Sequence, residues 1–302
     1  MVMASEPCPF AWLPDSLILM IFQNLPVKSL CICGAVCRRW KKIANDPVLW
    51  RTVDIRSYSC DLKALKILMK AHFQSSLQCL KLQGFRRNSR RPIKWNCKVI
   101  SNKVLEDLRN KCPNLNNLSL KSVNIHHIDG NKLMPSLIHL TIKSCMWTPN
   151  WFCGLQNQIP NLQTLNLSMT TRVDDLDMKD ISAFRFLKKL YINYCYRVTD
   201  NGLKTVCDNL THLETFEFSK VSCTDSGIYY IANSLLMLQN VNVAHCTMLS
   251  GKSLEELLRK KQSLKWINVS YCTLNPHELE LLSQCREDVL VYRQSKLAEF
   301  LD

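Results

Sequence analysis

Cysteine is the residue type whose abundance most suggests chemistry, because sixteen of the 302 residues are cysteine. No two of them have the C-x-x-C spacing that thioredoxin-type redox sites and many structural zinc sites use. The densest group, Cys31, Cys33 and Cys37, lies in a segment of helical periodicity. His126 and His127 form a second weak cluster, and no third ligand accompanies them at a fixed spacing. We therefore predict no metal site.

Nucleophilic catalysis and phosphate binding have equally little support in the residue pattern. Nothing in the sequence places a base beside a cysteine, which a thiol nucleophile needs. The chain has seven glycines and no glycine-rich loop that could bind a phosphate. We predict no catalytic residue and no cofactor, so function is to be sought in surfaces that bind other molecules.

Composition and charge restrict the compartment and the partners. The N-terminus lacks the basic and apolar regions of a secretory signal, and no run of about 18 apolar residues predicts a transmembrane helix. We expect an intracellular protein, cytoplasmic or nuclear, with reduced thiols and no membrane partner. The net charge of +14 is compatible with an anionic partner, or with a solvated basic loop at Arg86–Lys98.

Apolar residues at helical spacing open the chain. Pro14 suits the first turn of a helix, Pro26 ends it, and Ile18 and Phe22 lie one step round from its apolar stripe. That stripe recurs every four residues, at Leu13, Leu17, Ile21 and Leu25. A third helix is predicted to align Val36, Trp40 and Ile43. About 40 residues cannot bury this much apolar surface alone, so part of it should face a partner or the next domain.

These residues resemble an F-box over 12–51. Two Leu-Pro pairs at 13–14 and 25–26, the Ile-Phe pair at 21–22 and the Val-Cys-Arg-Arg-Trp run at 36–40 follow the family's order and spacing. The resemblance implies a helical domain that binds the Skp-type adaptor of a cullin ubiquitin ligase. The alternative is a helical cap on the next domain, and both can hold. The implied adaptor-binding residues are Leu13, Pro14, Leu17, Ile21, Phe22, Leu25, Pro26, Val36 and Trp40.

After residue 51 the chain repeats the pattern Leu-x-x-Leu-x-Leu. Its first positions at 137, 162, 187, 213, 238 and 264 are 25 or 26 residues apart. Earlier members begin at Leu77 and Leu115, the residues 50–55 fit as an irregular first member, and 289–291 as a degenerate last one. The pattern resembles the leucine-rich repeat. The repeats also resemble the cysteine-containing subtype of that family. Four cysteines each stand eight residues after the first leucine of their repeat: Cys145, Cys195, Cys246 and Cys272.

The two resemblances together imply an α/β fold class. An N-terminal all-helical F-box is followed by a leucine-rich-repeat solenoid, with a curved parallel sheet on the concave side and helices on the convex side. We expect 1–11 to be a flexible arm, 12–51 the F-box and 52–302 the solenoid with its C-terminal cap. The four cysteines are then buried wall residues. The interval from Leu115 to Leu137 is short, which predicts a turn in place of its helix.

The strand register also predicts which side chains are exposed. Alternation sends the third, fifth and seventh positions of each repeat to the concave face, with the eighth at its rim. Aromatic residues concentrate there in the last four repeats, and aromatic rings are frequent binding anchors. Some of them could instead fold against the rim or be shielded by the C-terminal segment. The predicted substrate-binding residues are Lys189, Tyr191, Tyr194, Lys220, His245, Trp266 and Tyr271.

The resemblance implies the substrate-recognition subunit of an SCF-type E3 ubiquitin ligase, which performs no bond chemistry. Its expected partners are the Skp-type adaptor, cullin through that adaptor, and a protein substrate destined for the proteasome, with the chain monomeric in the complex. One alternative is an F-box scaffold that acts outside the ligase. Another is a nucleic-acid or chromatin module that uses the basic loop with Lys81, Lys121 and Lys143, although no known RNA motif is present.

Overall fold

The computed structural model describes residues 10, 12–58, 60–84 and 99–293. Of the predicted arm only residue 10 is therefore included, and both the basic stretch Arg86–Lys98 and the segment 294–302 lie outside the described residues. The chain begins with three helices, α1 (Asp15–Gln23), α2 (Val27–Val36) and α3 (Arg38–Ala44). A 3-10 turn at Pro47–Trp50 leads from them into the first strand.

One parallel sheet of ten strands in chain order follows. Its strands are β1 (Thr52–Asp54), β2 (Cys79–Gln83), β3 (Asn117–Lys121), β4 (His139–Lys143), β5 (Thr164–Asn166), β6 (Lys189–Tyr191), β7 (Thr215–Glu217), β8 (Asn240–Asn242), β9 (Trp266–Asn268) and β10 (Leu290–Tyr292). The helices between them are α4 (Leu62–His72), α5 (Asn102–Lys111), α6 (Asp175–Ile181), α7 (Asp200–Asn209), α8 (Asp225–Ser234), α9 (Gly251–Lys260) and α10 (Pro276–Cys285). This architecture confirms the predicted helical unit followed by a repeat solenoid.

The leucine register determines which strand residues form the core. Leu118, Leu140 and Leu165 are direct partners on neighbouring strands, and each is fully buried. Parallel strands align equal positions of successive repeats. The apolar strand residue of one unit therefore packs on its equivalent in the next unit. The irregular first member and the degenerate last one are real strands, β1 and β10. The frame read from the spacing therefore extends over the whole sheet.

A left-handed residue follows the strand in most repeats. Tyr194, for example, has a φ of 63°, and its N–H donates to the carbonyl of Ser219 in the next repeat at 2.8 Å. A non-glycine residue adopts this conformation only when its surroundings compensate the steric cost. Here an inter-repeat hydrogen bond of 2.7–3.0 Å does so for every equivalent residue from Ser122 to His245. The equivalent residues, with φ between 53° and 63°, are Ser122, Ser144, Met169, Tyr194, Lys220, His245 and Tyr271.

The residue after each left-handed turn points into the core, and this explains the repeating cysteines. The thiols of Cys195 and Cys246 donate to carbonyls of the preceding repeat at 3.5 Å. In one of the repeats without a cysteine at this position, the hydroxyl of Thr170 makes the equivalent bond to Ile142 at 2.9 Å. Burial raises the pKa of Cys145 and Cys195 to about 12. These cysteines are therefore buried donors that join repeats, as the wall prediction required, although Cys272 is only half-buried.

Carboxylates join the convex helices in the same way. Asp175, the first residue of α6, accepts hydrogen bonds from the backbone N–H and the hydroxyl of Thr199 at 2.8 and 2.6 Å. Thr199 is the N-cap of α7, so each carboxylate holds the start of the next helix. Asp200 makes the same pair of bonds with Thr224. A negative charge at a helix N-terminus is also favoured by the helix dipole.

Two repeats lack an α-helix, and the sequence predicted only the first of them. Between β3 and β4 a 3-10 turn at Gly130–Lys132 replaces the helix, as the short interval required. Between β4 and β5 the interval has normal length, yet only a 3-10 turn at Leu155–Asn157 is present. Aromatic rings fill the space that a helix would occupy, with Trp147 and Phe152 centroids 5.4 Å apart. Bulky rings cover the core with less backbone than a helix needs. The leucine pattern does not reveal that rings replace the helix here.

Asp177 lies beneath this aromatic group and is 3% exposed. Its Oδ2 accepts hydrogen bonds from the indole of Trp147 at 3.0 Å and from the N–H of Asp174 at 3.1 Å. Burial raises the pKa of Asp177 from its ordinary 3.8 to about 6, despite these hydrogen bonds. The folded protein therefore binds this proton more tightly than the unfolded chain does.

This shift predicts a pH-dependent stability. The contribution of Asp177 to the free energy of unfolding should fall as pH rises from about 4 to about 6, by up to ~3 kcal/mol. Urea denaturation of the wild type and Asp177→Asn across this range measures the difference between them. Asp208→Asn, at an exposed position on α7, is the matched control. A wild-type minus Asp177→Asn difference that does not change with pH would contradict the assignment.

Candidate protein-interaction surfaces

The first surface is an uncovered apolar face on α1 and α2. Leu17 and Ile21 are 44% and 42% exposed on α1, and Ile32 and Val36 are 58% and 61% exposed on α2. Each pair is four residues apart, so its two side chains lie on one face of their helix. We call these four residues the apolar face. Large apolar side chains grouped on a surface usually mark an interaction site.

The opposite side of α1 belongs to the core. Phe22 is 2% exposed and packs edge to face on Trp40, with ring centroids 5.4 Å apart. One step round the helix from Ile21, the ring of Phe22 points towards α3, and its contact with an adaptor stays a prediction. Val36 is the last residue of α2. The sequence had suggested instead that it belongs to the third helix.

The remaining predicted adaptor-binding residues surround the apolar face to different degrees. Pro14 and Pro26 are exposed, whereas Leu13, Leu25 and Trp40 are half-buried. The start of α1 is held by Arg39, whose Nε donates to the carboxylate of Asp15 at 2.7 Å. The sequence thus located the segment correctly, but which side of each helix is exposed follows only from the packing.

The second surface is a groove in the concave face, bordered by the left-handed residues. The ring of Tyr194 lies 6.3 Å from that of His245, which stacks on Tyr271 at 4.3 Å between centroids. Lys220 places its Nζ 5.5 Å from the Tyr194 centroid and 5.9 Å from that of Tyr196. Four of the seven predicted substrate-binding residues, Tyr194, Lys220, His245 and Tyr271, thus form one continuous row, which we call the rim row.

Small side chains at the seventh positions leave room beside the rim row. Ser168, Ser219 and Ala244 line a groove of about 270 Å³ together with Asn193. Asn193 links two repeats, because its Oδ1 accepts from the N–H of Ser219 at 2.8 Å and its Nδ2 donates to Glu217 at 2.9 Å. The predicted substrate-binding set did not include these residues, and Lys143 was named only for the nucleic-acid alternative. The set also lacked three larger side chains of this region that the register could have indicated: Met169, Tyr196 and Tyr292.

The other predicted substrate-binding residues lie elsewhere on the sheet. Lys189 and Trp266 occupy third positions, at the start of their strands. Five residues of extended chain separate this level from the rim row, which amounts to about 16 Å. Tyr191 lies between the two levels, in register with Glu217. The predicted site is therefore divided into the rim row and a separate pair at the strand starts.

Positive charge is spread over the concave face. Burial, assisted by the nearby charge of Lys189, lowers the pKa of His139 two strands away. Burial, assisted by the charge of Glu217, raises the pKa of Tyr191, so its hydroxyl stays protonated at neutral pH. Within the described ranges no three His, Cys, Asp or Glu residues could hold a metal ion together. None of the helices described is both long and apolar enough for a membrane span.

The two sides of α1 predict that substitutions at neighbouring positions change the free energy of unfolding by very different amounts. Phe22→Ala should lower the free energy of unfolding by about 3–5 kcal/mol, because it leaves a cavity in the core. Ile21→Ala should change it by less than about 1 kcal/mol, because that side chain is already exposed to water. Chemical denaturation of the full chain measures both values. Equal losses for the two variants would show that Ile21 is part of the core.

Three comparisons with known proteins agree with this architecture. Residues 10–56 match the F-box-like family. The chain is 29% identical to bovine F-box/LRR-repeat protein 12 over 283 residues, which cover 91% of this chain and 84% of that protein. It is 30% identical to the human F-box/LRR-repeat protein 12 over 237 residues, which cover 76% of this chain and 70% of the relative.

The fold is also similar to a solved structure, described as the crystal structure of the Rad7 and Elc1 complex in yeast. The likeness has a TM-score of 0.57 and 16% identity, and covers 93% of this chain and 81% of the other. At that identity it supports the fold alone. The sequence relatives, the F-box-like match and the repeat solenoid together identify the chain as a member of the F-box/LRR-repeat protein family.

Proposed function

We propose that this chain is the substrate-recognition subunit of an SCF-type E3 ubiquitin ligase, and that it has no catalytic role itself. The observation that carries the proposal is the apolar face, which lies in the F-box-like segment and is not covered by any part of the chain that the structure describes. A second, separate surface, the concave groove, is available for another protein. A receptor subunit needs these two surfaces at once, one for the ligase and one for its substrate.

In this mechanism the apolar face binds a Skp-type adaptor, and the adaptor connects the chain to cullin. Leu17, Ile21, Ile32 and Val36 supply the buried area, with the predicted residues Leu13, Pro14, Leu25, Pro26 and Trp40 around them. Phe22 supports the face from inside. Binding of adaptor and substrate to one chain raises their effective concentration, so a substrate lysine meets the charged ubiquitin-conjugating enzyme without any chemistry from this subunit.

The two surfaces are joined by a packed junction. The indole of Trp50 donates a hydrogen bond to the carbonyl of Ala44 at the end of α3, at 2.8 Å. The same ring stacks on His72 of α4, with centroids 3.7 Å apart and planes within 7°. Trp50 is almost fully buried, so this contact belongs to the core. It supports the proposal because a fixed geometry between adaptor and substrate favours transfer to particular lysines.

Adaptor binding is tested with the double variant Leu17→Ala/Ile21→Ala. Loss of two partner-facing side chains should lower adaptor co-purification at least tenfold, since each buried side chain contributes about 1.5–3 kcal/mol. Leu176→Ala/Leu236→Ala is the matched control, because both leucines are highly exposed but lie on the solenoid. Wild-type recovery of the adaptor with the first variant would refute the assignment of this face.

The same purification separates the receptor from a scaffold that acts outside the ligase. A receptor should bring down cullin together with the adaptor, whereas a scaffold should bring down the adaptor alone. We propose a cytoplasmic or nuclear location, in keeping with the many reduced thiols. Fluorescence microscopy of the tagged chain would distinguish the two compartments.

Substrate binding is tested on the rim row with Tyr194→Ala/Lys220→Ala. Proteins that accumulate on the complex when cullin activity is inhibited should be recovered less with this variant, while adaptor binding stays at the wild-type level. A matched control exists in Lys204 and Tyr230, a second lysine–tyrosine pair with Nζ 5.6 Å from the ring centroid, on the convex helices. If Lys204→Ala/Tyr230→Ala has the same effect, or if neither variant has any, the substrate site lies elsewhere.

A further inference from the structure

Two lysines of the concave face are neighbours without an acidic partner among the described residues. Lys121 and Lys143 are direct partners on β3 and β4, so their Cα atoms are about 5 Å apart. Like charges placed opposite each other on adjacent strands destabilise a sheet. Neither lysine forms an ion pair with any residue that the structure describes. Some lysines elsewhere are paired, as Lys132 is with Glu106 and Lys188 with Glu214.

The acidic residues of the concave face do not balance this charge. Asp54 is held by the guanidinium of Arg56, with a closest N–O distance of 2.6 Å. Glu217 accepts its hydrogen bond from the amide of Asn193. Lys220 lies over tyrosine rings and adds further positive charge at the groove. The concave face therefore has an excess of cations that its own carboxylates leave uncompensated.

The concave face is also rich in hydrogen-bond donors. Within β3–β7, Asn166 uses its Oδ1 to accept the backbone N–H of Ser168 at 2.9 Å, as Asn242 and Asn268 do further along the sheet. The amide of Asn166 still has two N–H donors, and Ser168 and Ser219 add hydroxyl groups in the groove. A surface that presents ammonium, amide and hydroxyl donors fits a ligand that is rich in acceptors, such as carboxylates and peptide carbonyls.

We propose that the concave face from β3 to β7 binds an extended acidic segment of a protein substrate, with carboxylates at Lys121, Lys143 and Lys220. This inference rests on the proposed function and specifies the class of substrate. Four strand spacings separate β3 from β7, which is about 19 Å, the length of about six extended residues. The segment crosses the strands along the groove, between the lysine pair and the rim row.

The same charge could attract nucleic acid, and the aromatic residues favour a protein. Single-stranded nucleic acid stacks its bases on open aromatic faces. Here Tyr194 and Tyr196 pack edge to face and Lys220 lies over both rings. These contacts leave less open aromatic surface on which a base could stack.

The experiment measures fluorescence anisotropy of labelled peptides with the full chain alone, at low salt. Hexaglutamate should bind and hexaglutamine should not. Lys121→Gln/Lys143→Gln should weaken hexaglutamate binding about tenfold or more, and Lys121→Arg/Lys143→Arg should preserve it. Lys63→Gln/Lys66→Gln on α4, with the same change in net charge at exposed positions, should leave binding within about twofold. The melting temperature should not fall in Lys121→Gln/Lys143→Gln, since it relieves a repulsion.

Several outcomes would overturn the proposal. Equal losses in the α4 control and the concave variant would indicate attraction by net charge alone. Tighter binding of hexathymidylate than of hexaglutamate would assign the face to nucleic acid. Unchanged hexaglutamate affinity in Lys121→Gln/Lys143→Gln would place acidic ligands elsewhere. Recovery of adaptor and cullin with the same variants tests the proposed function separately, because the peptide assay does not depend on the F-box surface.

Discussion

The left-handed turn at the end of the strands is the constraint on which the rest of the solenoid depends. At Tyr194 or His245 it reverses the direction of successive side chains, so one residue stands at the rim and the next is buried. The N–H of the turn residue is bound to the following repeat, and the buried thiol or hydroxyl is bound to the preceding one. Where a cysteine or threonine follows the turn, as at Cys195 and Thr170, a single backbone conformation thus connects the unit to both neighbours. No repeat can form it alone, which makes the stack cooperative.

The convex side adds an independent connection through carboxylates at the helix starts. Burial alone would raise the pKa of Asp225, but the hydrogen bonds from Ser250 and Ser253 outweigh it and the pKa is lowered. These bonds are made in the ionised state, so this connection weakens as the carboxylate is protonated in acid. Asp177 behaves in the opposite sense, because it is buried with one oxygen unpaired. Two helix aspartates, one in α8 and one in α6, therefore have different roles because of their surroundings.

Much of this fold is predictable from the sequence because the leucine spacing reports the strand register directly. That spacing located even the irregular strands β1 and β10. It did not reveal the missing helix before β5, where tryptophan and phenylalanine rings replace helical backbone. It also did not distinguish Ile21 from Phe22, since both fit an apolar stripe and only packing on α3 decides between them. For the concave site, the eighth positions were recognised as a rim, but their positive φ has no signature in residues such as tyrosine, lysine and histidine.

That turn conformation also limits how the binding surface can be varied. Its side chains lie outside the leucine pattern, so they can be exchanged without disturbing the core. Branching at Cβ, however, is poorly tolerated at a φ near +60°, and Ser, Met, Tyr, Lys and His occupy these places. Valine, isoleucine and threonine are thereby excluded from the rim by the backbone, whatever the ligand. The set of residue types that the rim positions accept is limited by local backbone geometry first and by the partner second. Libraries for redesigning this surface should omit those three residues.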